Sequence, residues 1–208
     1  MTRLLPGIIA MAIIVVASNI LVQFLLGDWL TWGAFTYPIA FLVTDVMNRV
    51  YGVQAARRVV LAGFVTGIFC SLIGSQIMLE YGPAVSLRVA IGSAIGFLMA
   101  QLLDISIFDR LRFGTWWKAP LASTVIGSAV DTAVFFTIAF SASVTLFGPA
   151  ADEAISWAWE AVPLLGQGGL QPLWVSLAIA DWAVKLAIAL LALIPFRLLV
   201  TRLSHPAT

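Results

Sequence analysis

Apolar residues in this chain form long runs that are separated by short segments rich in charged residues and glycine. A helix rises about 1.5 Å per residue, so about 20 apolar residues cross the hydrocarbon core of a bilayer. No run alternates as barrel strands do, and helices are therefore the expected spanning structure. We predict six spanning helices, over Leu4–Leu26, Trp29–Met47, Val59–Met78, Val89–Phe108, Leu121–Phe147 and Leu173–Leu199.

The first run could be mistaken for a signal peptide, because Arg3 precedes it. The run continues past the small residues Ala17 and Ser18 to Leu26. This exceeds the roughly 7–15 residues of a signal-peptide core. We therefore expect a helix that is retained in the mature protein.

Composition agrees with a membrane protein. Of 208 residues, 62% are apolar and only 10% are charged, whereas soluble domains are about 45–50% apolar and about 25% charged. The excess of apolar surface must face lipid, which excludes a soluble enzyme, a nucleic-acid-binding domain and a disordered chain. The net charge of +1 excludes a strongly charged partner, and the single cysteine, Cys70, excludes an internal disulfide.

Charge is distributed unequally between the two sides of the predicted helices. One side holds nine basic residues: Arg3, Arg49, Arg57, Arg58, Arg110, Arg112, Lys118, Arg197 and Arg202. The other side holds Asp28, Glu80, Asp152, Glu153 and Glu160, with Arg88 the one basic residue near it. Basic loops favour the cytoplasm. We therefore expect residues 1–208 to form one all-α, six-helix domain of the cytoplasmic (inner) membrane, with both termini cytoplasmic.

The one long connection, Gly148–Pro172, falls on the outer side of this topology. It contains Trp157, Trp159 and the glycine-rich stretch 166–169. We expect an interfacial half-helix followed by a flexible turn. The alternative is an external lid over a substrate entrance.

Five ionisable residues lie within or at the ends of the predicted spans: Asp45, Asp104, Asp131, Asp181 and Lys185. Each costs about 2.5–3.5 kcal/mol at the centre of a membrane helix, so some must line a polar interior. Asp181 and Lys185 share a helix face and can form either a structural ion pair or a titratable pair in the transport path. Asp45 can pair in the same way with Arg49. Asp131 has no basic neighbour on its own helix and is the strongest functional candidate.

Amides and aromatic rings accompany these groups. Asn19 and Gln23 are four residues apart on the first helix, and Gln101 is three residues before Asp104 on the fourth. On the second helix, Pro38 can break the helix at depth, where a cavity tolerates freed backbone groups. Aromatic residues precede Pro38 or follow Asp131 in the sequence: Trp32, Phe35, Tyr37, Phe135 and Phe136. This mixture suits a planar, amide-bearing heterocycle.

Several kinds of chemistry have no sequence support. No nucleotide-binding G-x-x-x-x-G-K-[ST] motif is present, and the one histidine, His205, lies in the tail. No metal-binding motif is present either. We expect no enzymatic activity, no metal and no cofactor.

Motifs along most of the chain resemble one known family, the bacterial queuosine precursor transporters, also called the vitamin uptake transporter family. In the first half these are Ser18–Gln23, Thr31–Phe35, Thr44-Asp45, Tyr51-Gly52 and Ala56–Arg58. In the second half they are Phe108–Arg112, Trp116-Trp117, Ala122–Thr124, Asp131-Thr132, Asp181 and Lys185. They follow in the expected order over roughly residues 12–200.

The resemblance implies import of 7-cyano-7-deazaguanine and 7-aminomethyl-7-deazaguanine, precursors of a tRNA modification. A carboxylate can accept the adjacent N–H and amino groups of such a purine-like ring, and aromatic rings can stack on its face. On this hypothesis Asp131 or Asp45 binds that edge, and amides of Asn19, Gln23 or Gln101 bind the carbonyl and ring nitrogens. Trp32 or Phe35 supplies stacking. Asp104, Asp181 and Lys185 are expected to form a coupling site or an internal ion pair.

Other interpretations stay open beside alternating-access transport. One is a substrate-binding membrane subunit that depends on a separate ATPase. Another is a non-transporting assembly protein, in which the aspartates are buried pairs, and an intramembrane enzyme is a distant further possibility. The expected partners are the lipid bilayer and a small purine-like molecule, with a homodimer plausible and no nucleic acid.

Overall fold

The computed structural model describes residues 4–22, 24–79 and 82–204, and most of them are helical. The α-helices are α1 (Leu5–Leu21), α2 (Gly33–Thr36), α3 (Ile39–Tyr51), α4 (Val53–Gln76), α5 (Leu87–Leu111), α6 (Lys118–Phe140), α7 (Pro149–Glu153) and α8 (Leu173–Ser204). Three two-stranded antiparallel ribbons lie in the connections: β1 (Leu25–Leu26) with β2 (Leu30–Thr31), β3 (Met78–Leu79) with β4 (Gly82–Pro83), and β5 (Ala161–Pro163) with β6 (Leu170–Pro172).

The predicted helical membrane architecture is confirmed in its main feature. Four described helices, α4, α5, α6 and α8, are long and apolar enough to cross a membrane, and α1 is a further apolar helix of 17 residues. Several predicted boundaries are wrong. The third helix begins at Val53 rather than Val59, and the last ends at Ser204 rather than Leu199. The first helix ends at Leu21 rather than Leu26, and the fifth ends at Phe140 rather than Phe147. Hydropathy does not distinguish apolar residues that continue a helix from apolar residues that enter a ribbon or loop. The prediction therefore placed the ends of the first and fifth helices too far along the chain.

The second predicted helix is broken, as the sequence indicated, at Pro38. The short α2 ends at Thr36, and α3 begins at Ile39 with Pro38 as its N-cap residue. Proline lacks an N–H donor and its ring fixes φ, so it fits the first turn of a helix but not the interior. The break places Tyr37 between two helices in the middle of the bundle.

Glycines allow α5 and α6 to approach closely. A Cβ added at Gly96 would lie 3.2 Å from Asp131 Oδ1, and one at Gly92 would lie 3.2 Å from the Phe135 carbonyl oxygen. From the other side, a Cβ at Gly127 would lie 3.3 Å from the Ala100 carbonyl oxygen. Small residues at such crossings let membrane helices bring their backbones and polar groups together. These contacts hold the polar residues of α5 and α6 in register.

The largest buried apolar cluster joins α1, α3, α4 and α5 and includes Met11, Met47, Val59 and Phe97. By contrast, large apolar side chains on the outer faces of the bundle are exposed, such as Ile13 on α1, Phe69 on α4 and Leu191 on α8. An apolar exterior of this extent is suited to lipid and not to water.

The connection between α6 and α8 is a folded cap over the ends of these helices. Instead of the expected half-helix and flexible turn, it contains the five-residue α7, a 3-10 helix over Ser156–Trp159 and the β5–β6 ribbon. The Trp159 indole Nε1 donates a hydrogen bond to the Phe140 carbonyl oxygen at 2.6 Å, and Ile155 packs in the cluster that contains Phe136. These contacts anchor the cap to the end of α6.

Candidate functional site

A buried ion-pair cluster joins α6 to α8. The Lys185 Nζ lies 2.7 Å from Asp131 Oδ2 and 2.5 Å from Asp181 Oδ2. It also donates a hydrogen bond to Thr132 Oγ1 at 3.0 Å, and the Thr132 hydroxyl donates to Asp181 Oδ2 at 2.9 Å. Asp181 and Lys185 pair because four residues place them one above the other on a helix. Asp131 reaches the same ammonium group from the neighbouring helix.

Tyr37 covers this cluster from the break in the second helix. Its hydroxyl donates to Asp131 Oδ1 over 3.5 Å, and the Lys185 Nζ lies 5.6 Å from the centroid of its ring. Two carboxylates therefore share one ammonium group, and Asp131 Oδ1 has only a long hydrogen bond. Such an oxygen can accept a further donor from a ligand.

A cleft between α1, α4 and α5 reaches this region at Tyr37. Residues of all three helices line the cleft, among them Asn19, Phe64, Ser71, Ser93 and Phe97. The Asn19 Nδ2 donates to the Val15 carbonyl oxygen at 2.8 Å, which leaves the amide oxygen free to accept. The rings of Tyr37 and Phe97 meet edge to face with centroids 6.0 Å apart. The cleft thus combines aromatic walls with hydroxyl and amide groups.

A second buried polar cluster lies between α3, α5 and α6. Asp45 and Asp104 are 2% and 0% exposed, and both lie against the same stretch of α6, where a Cβ at Gly127 would lie 3.3 Å from Asp104 Cβ. The two carboxyl groups are close enough to interact. Ser123 donates to Asp45 Oδ1 at 3.3 Å and Thr124 donates to Asp45 Oδ2 at 3.2 Å. The Ser123 hydroxyl is also near Asp104, but neither oxygen of Asp104 has a hydrogen bond of good geometry from the described residues.

Two further contacts tie α3 to α5 on either side of this carboxyl pair. The Thr44 hydroxyl donates to Gln101 Oε1 at 2.6 Å, and the Asn48 Nδ2 donates to the Ile105 carbonyl oxygen at 3.1 Å. The suggested ion pair between Asp45 and Arg49 is not formed. The Arg49 guanidinium instead donates to the carbonyl oxygen of Arg112, because α3 turns it toward the end of α5.

The structure divides the predicted site residues into separate groups. Asp131, Asp181 and Lys185 meet in the first cluster, and Asn19 lies in the cleft. Asp45 and Asp104 lie in the second cluster, and Gln101 contacts Thr44 beside it. Trp32 and Phe35 are outside all three groups and face each other with ring centroids 6.1 Å apart. Gln23 lies outside the described residues.

Sequence reasoning assigned no site role to Tyr37, Thr132 or the cleft residues Phe64 and Phe97. Thr132 has a recoverable signal, because it directly follows Asp131. The aromatic residues have none in the sequence, since a ring that faces a cleft and one that faces lipid look alike in an apolar helix.

Comparison with known proteins identifies close relatives along most of the chain. The model of a family described as "Putative vitamin uptake transporter" matches residues 31–200. The "Queuosine precursor transporter" of Escherichia coli (strain K12) is 30% identical over 197 residues, which are 88% of this chain and 79% of that protein. A "Probable queuosine precursor transporter" of Haemophilus influenzae is 36% identical over 128 residues, 56% of this chain and 54% of that protein. No solved structure gives a significant match.

Proposed function

Since this chain belongs to the vitamin uptake transporter family and is a membrane transporter rather than an enzyme, we propose that it imports 7-deazaguanine precursors of queuosine into the cytoplasm. The substrates are 7-cyano-7-deazaguanine and 7-aminomethyl-7-deazaguanine. The transporter works by alternating access around a polar site in the middle of the bundle, in the inner membrane. The relatives named as queuosine precursor transporters support the substrate class.

The proposed topology has six spans and cytoplasmic termini. Together α2 and α3 extend over residues 33–51, which at 1.5 Å per residue reach about 28 Å, close to the thickness of the hydrocarbon core. With α1, α4, α5, α6 and α8 this makes six crossings. The excess of basic residues at one end of the helices supports the orientation.

The observation that carries the proposed binding site is the cleft that ends at Tyr37, directly beside Asp131. A deazaguanine that enters the cleft lies between Phe64 and Phe97, and its carbonyl and ring nitrogens face Asn19 and the serine hydroxyls. When the Tyr37 ring turns aside, Asp131 Oδ1 accepts the adjacent N–H and amino groups of the ring. Lys185 holds the other oxygen of the same carboxylate, which orients Asp131 toward the substrate.

Uptake of labelled 7-cyano-7-deazaguanine into liposomes that contain only this protein tests the function. We expect saturable uptake by the wild type, and loss of both binding and uptake in Asp131→Asn. The matched control is Asp109→Asn, which removes a partly exposed carboxylate that pairs with Arg112 and leaves uptake unchanged.

The alternatives predict other results. Binding without uptake would assign the chain to a substrate-binding subunit that needs an ATPase. Neither binding nor uptake by folded protein would overturn the substrate, and unchanged affinity in Asp131→Asn would overturn the site.

A further inference from the structure

We infer that the buried carboxyl groups of Asp45 and Asp104 hold one proton between them, and that this proton is the ion coupled to substrate movement. The inference rests on the proposed function and adds the driving ion and its site, which is separate from the substrate cleft. It follows from the positions of the two carboxyl groups and from the polar groups around them.

The first argument is the geometry of the pair. Both residues are almost fully buried and lie against one stretch of α6: Ser123 and Thr124 donate to Asp45, and a Cβ at Gly127 would lie 3.3 Å from Asp104 Cβ. Their carboxyl groups are close enough to interact. Two adjacent carboxylates in a site shielded from water cannot both remain ionised without a cation, and a proton shared between them removes the repulsion. That proton also supplies a well-aligned donor, which the oxygens of Asp104 lack among the described residues although the Ser123 hydroxyl is near.

The second argument is that neither carboxyl group forms an ion pair with a cation of the described residues. On α3, Arg49 points to the Arg112 carbonyl oxygen, and on α4 Arg57 and Arg58 are exposed. Other basic groups on the packed helices are engaged elsewhere: Lys185 with Asp131 and Asp181, Arg88 with Asp152, Arg112 with Asp109, Lys118 over Trp117, and Arg197 over Trp116. Arg110 and Arg202 are exposed. Among the described residues, no basic side chain forms an ion pair with Asp45 or Asp104, and Arg49 attracts Asp45 only from beyond ion-pair distance.

Two buried amide groups lie within one helical turn of the carboxyl pair. The Asn48 Oδ1 and the Gln101 Nε2 are buried without a hydrogen-bond partner among the described residues. Asn48 lies one turn after Asp45 on α3, and Gln101 lies one turn before Asp104 on α5. Unsatisfied buried polar groups cost about 1–3 kcal/mol each, so their retention here is consistent with a site whose hydrogen bonds change as it gains and loses a proton.

The third argument is access. A crevice lined by residues of α3, α6 and α8 reaches Asp45, with Thr124 beside it and Pro38 at its edge. A proton can therefore approach the pair from a side of α3 that does not pass through the substrate cleft between α1, α4 and α5.

The pair is mechanically connected to the proposed substrate site through α6. Thr124, which donates to Asp45, and Asp131, which binds Lys185, are seven residues apart on this helix and lie on the same face. The second helix likewise carries Tyr37 at its break and Asp45 two turns later. A movement of α6 against α3 that opens one site thus disturbs the contacts of the other.

The test uses liposomes loaded with a pH-sensitive dye and an imposed gradient with the acidic side outside. A gradient of about one pH unit supports about tenfold accumulation when one proton accompanies each substrate molecule. We expect the wild type to accumulate substrate to this extent and to acidify the lumen when substrate is added. Asp104→Asn should lose both effects while it still exchanges labelled for unlabelled substrate across the membrane. Asp109→Asn is the matched control and should behave as the wild type.

Other outcomes overturn the inference. Substrate uptake by the wild type without proton movement would do so, as would gradient-driven accumulation that survives in Asp104→Asn, or accumulation driven by a Na⁺ gradient at equal pH.

An infrared measurement tests the shared proton without substrate and without relying on one variant. Wild-type protein at neutral pH should show the carbonyl band of a protonated carboxylic acid, and the double variant Asp45→Asn with Asp104→Asn should lose it. If this band is absent from the wild type, the shared proton is wrong. If the band is present and no uptake occurs, the proposed substrate fails while the protonated pair stands.

Discussion

Lys185 on the last helix lies 2.7 Å from Asp131 on α6, and both side chains are almost fully buried. The same ammonium group lies 2.5 Å from Asp181. One cation therefore holds two carboxylates in the bundle, and the three groups carry a net charge of −1 when all are ionised. The cluster stabilises the contact of α6 with α8 and leaves an acceptor that a ligand can use.

Replacement of Lys185 should destabilise the protein strongly. In Lys185→Met the two carboxylates face each other without a cation, and loss of one partner of a buried pair costs about 3–5 kcal/mol. The double variant Lys185→Met with Asp131→Leu should recover part of this loss, because one of the stranded charges is gone. Thermal unfolding in detergent, followed by circular dichroism, measures both variants. Equal stability of the two variants would show that the stranded carboxylate of Asp131 is not what destabilises Lys185→Met.

Arg88 should fix the cap between α6 and α8 to the bundle. Its buried guanidinium lies 2.6 Å from Asp152 Oδ1 and donates to the carbonyl oxygens of Ile138 and Ser141. Arg88→Gln removes the charge and most of these bonds. We expect hydrogen exchange over residues 149–159 to become faster, while exchange in α4 is unchanged. Asp152→Asn, which keeps the backbone contacts of Arg88, should give a smaller increase.

Local spacing in the sequence was sufficient for some features and not for others. The Asp181–Lys185 pair could be predicted because both residues are on one helix, and the break at Pro38 because proline cannot continue a helix interior. The contact of Asp131 with Lys185 and that of Asp45 with Asp104 depend on how helices cross. Those crossings are determined by small residues such as Gly96, whose role becomes visible only in three dimensions.

Close packing at Gly127 should tolerate no side chain. A Cβ there would lie 3.0 Å from Phe41 Cε1 and 3.3 Å from the Ala100 carbonyl oxygen, which is tighter than ordinary contact. Gly127→Ala should therefore destabilise the protein by about 1–3 kcal/mol through overpacking. The matched control is Gly67→Ala on α4, whose new Cβ would meet Val15 at 3.6 Å. Alanine is the better helix former by about 1 kcal/mol, so this variant should be neutral or stabilised.

The cleft should determine substrate affinity through its ring and amide groups. Phe97→Ala removes a wall of the cleft, and loss of an aromatic contact worth about 0.5–1.5 kcal/mol beyond its buried area should weaken binding of 7-cyano-7-deazaguanine by about tenfold. Asn19→Leu keeps the size of the side chain but removes the amide oxygen, and it should weaken binding to a similar degree.

Equilibrium binding to purified protein in detergent, measured by titration calorimetry, compares these variants with the wild type. The control is Phe69→Ala, which removes an aromatic side chain that is 62% exposed on the outer face of α4. It should leave affinity unchanged. Equal losses in Phe69→Ala and Phe97→Ala would mean that the cleft between α1, α4 and α5 is not where the ring binds. A loss confined to Phe97→Ala and Asn19→Leu would locate the substrate next to Tyr37, one side chain away from Asp131.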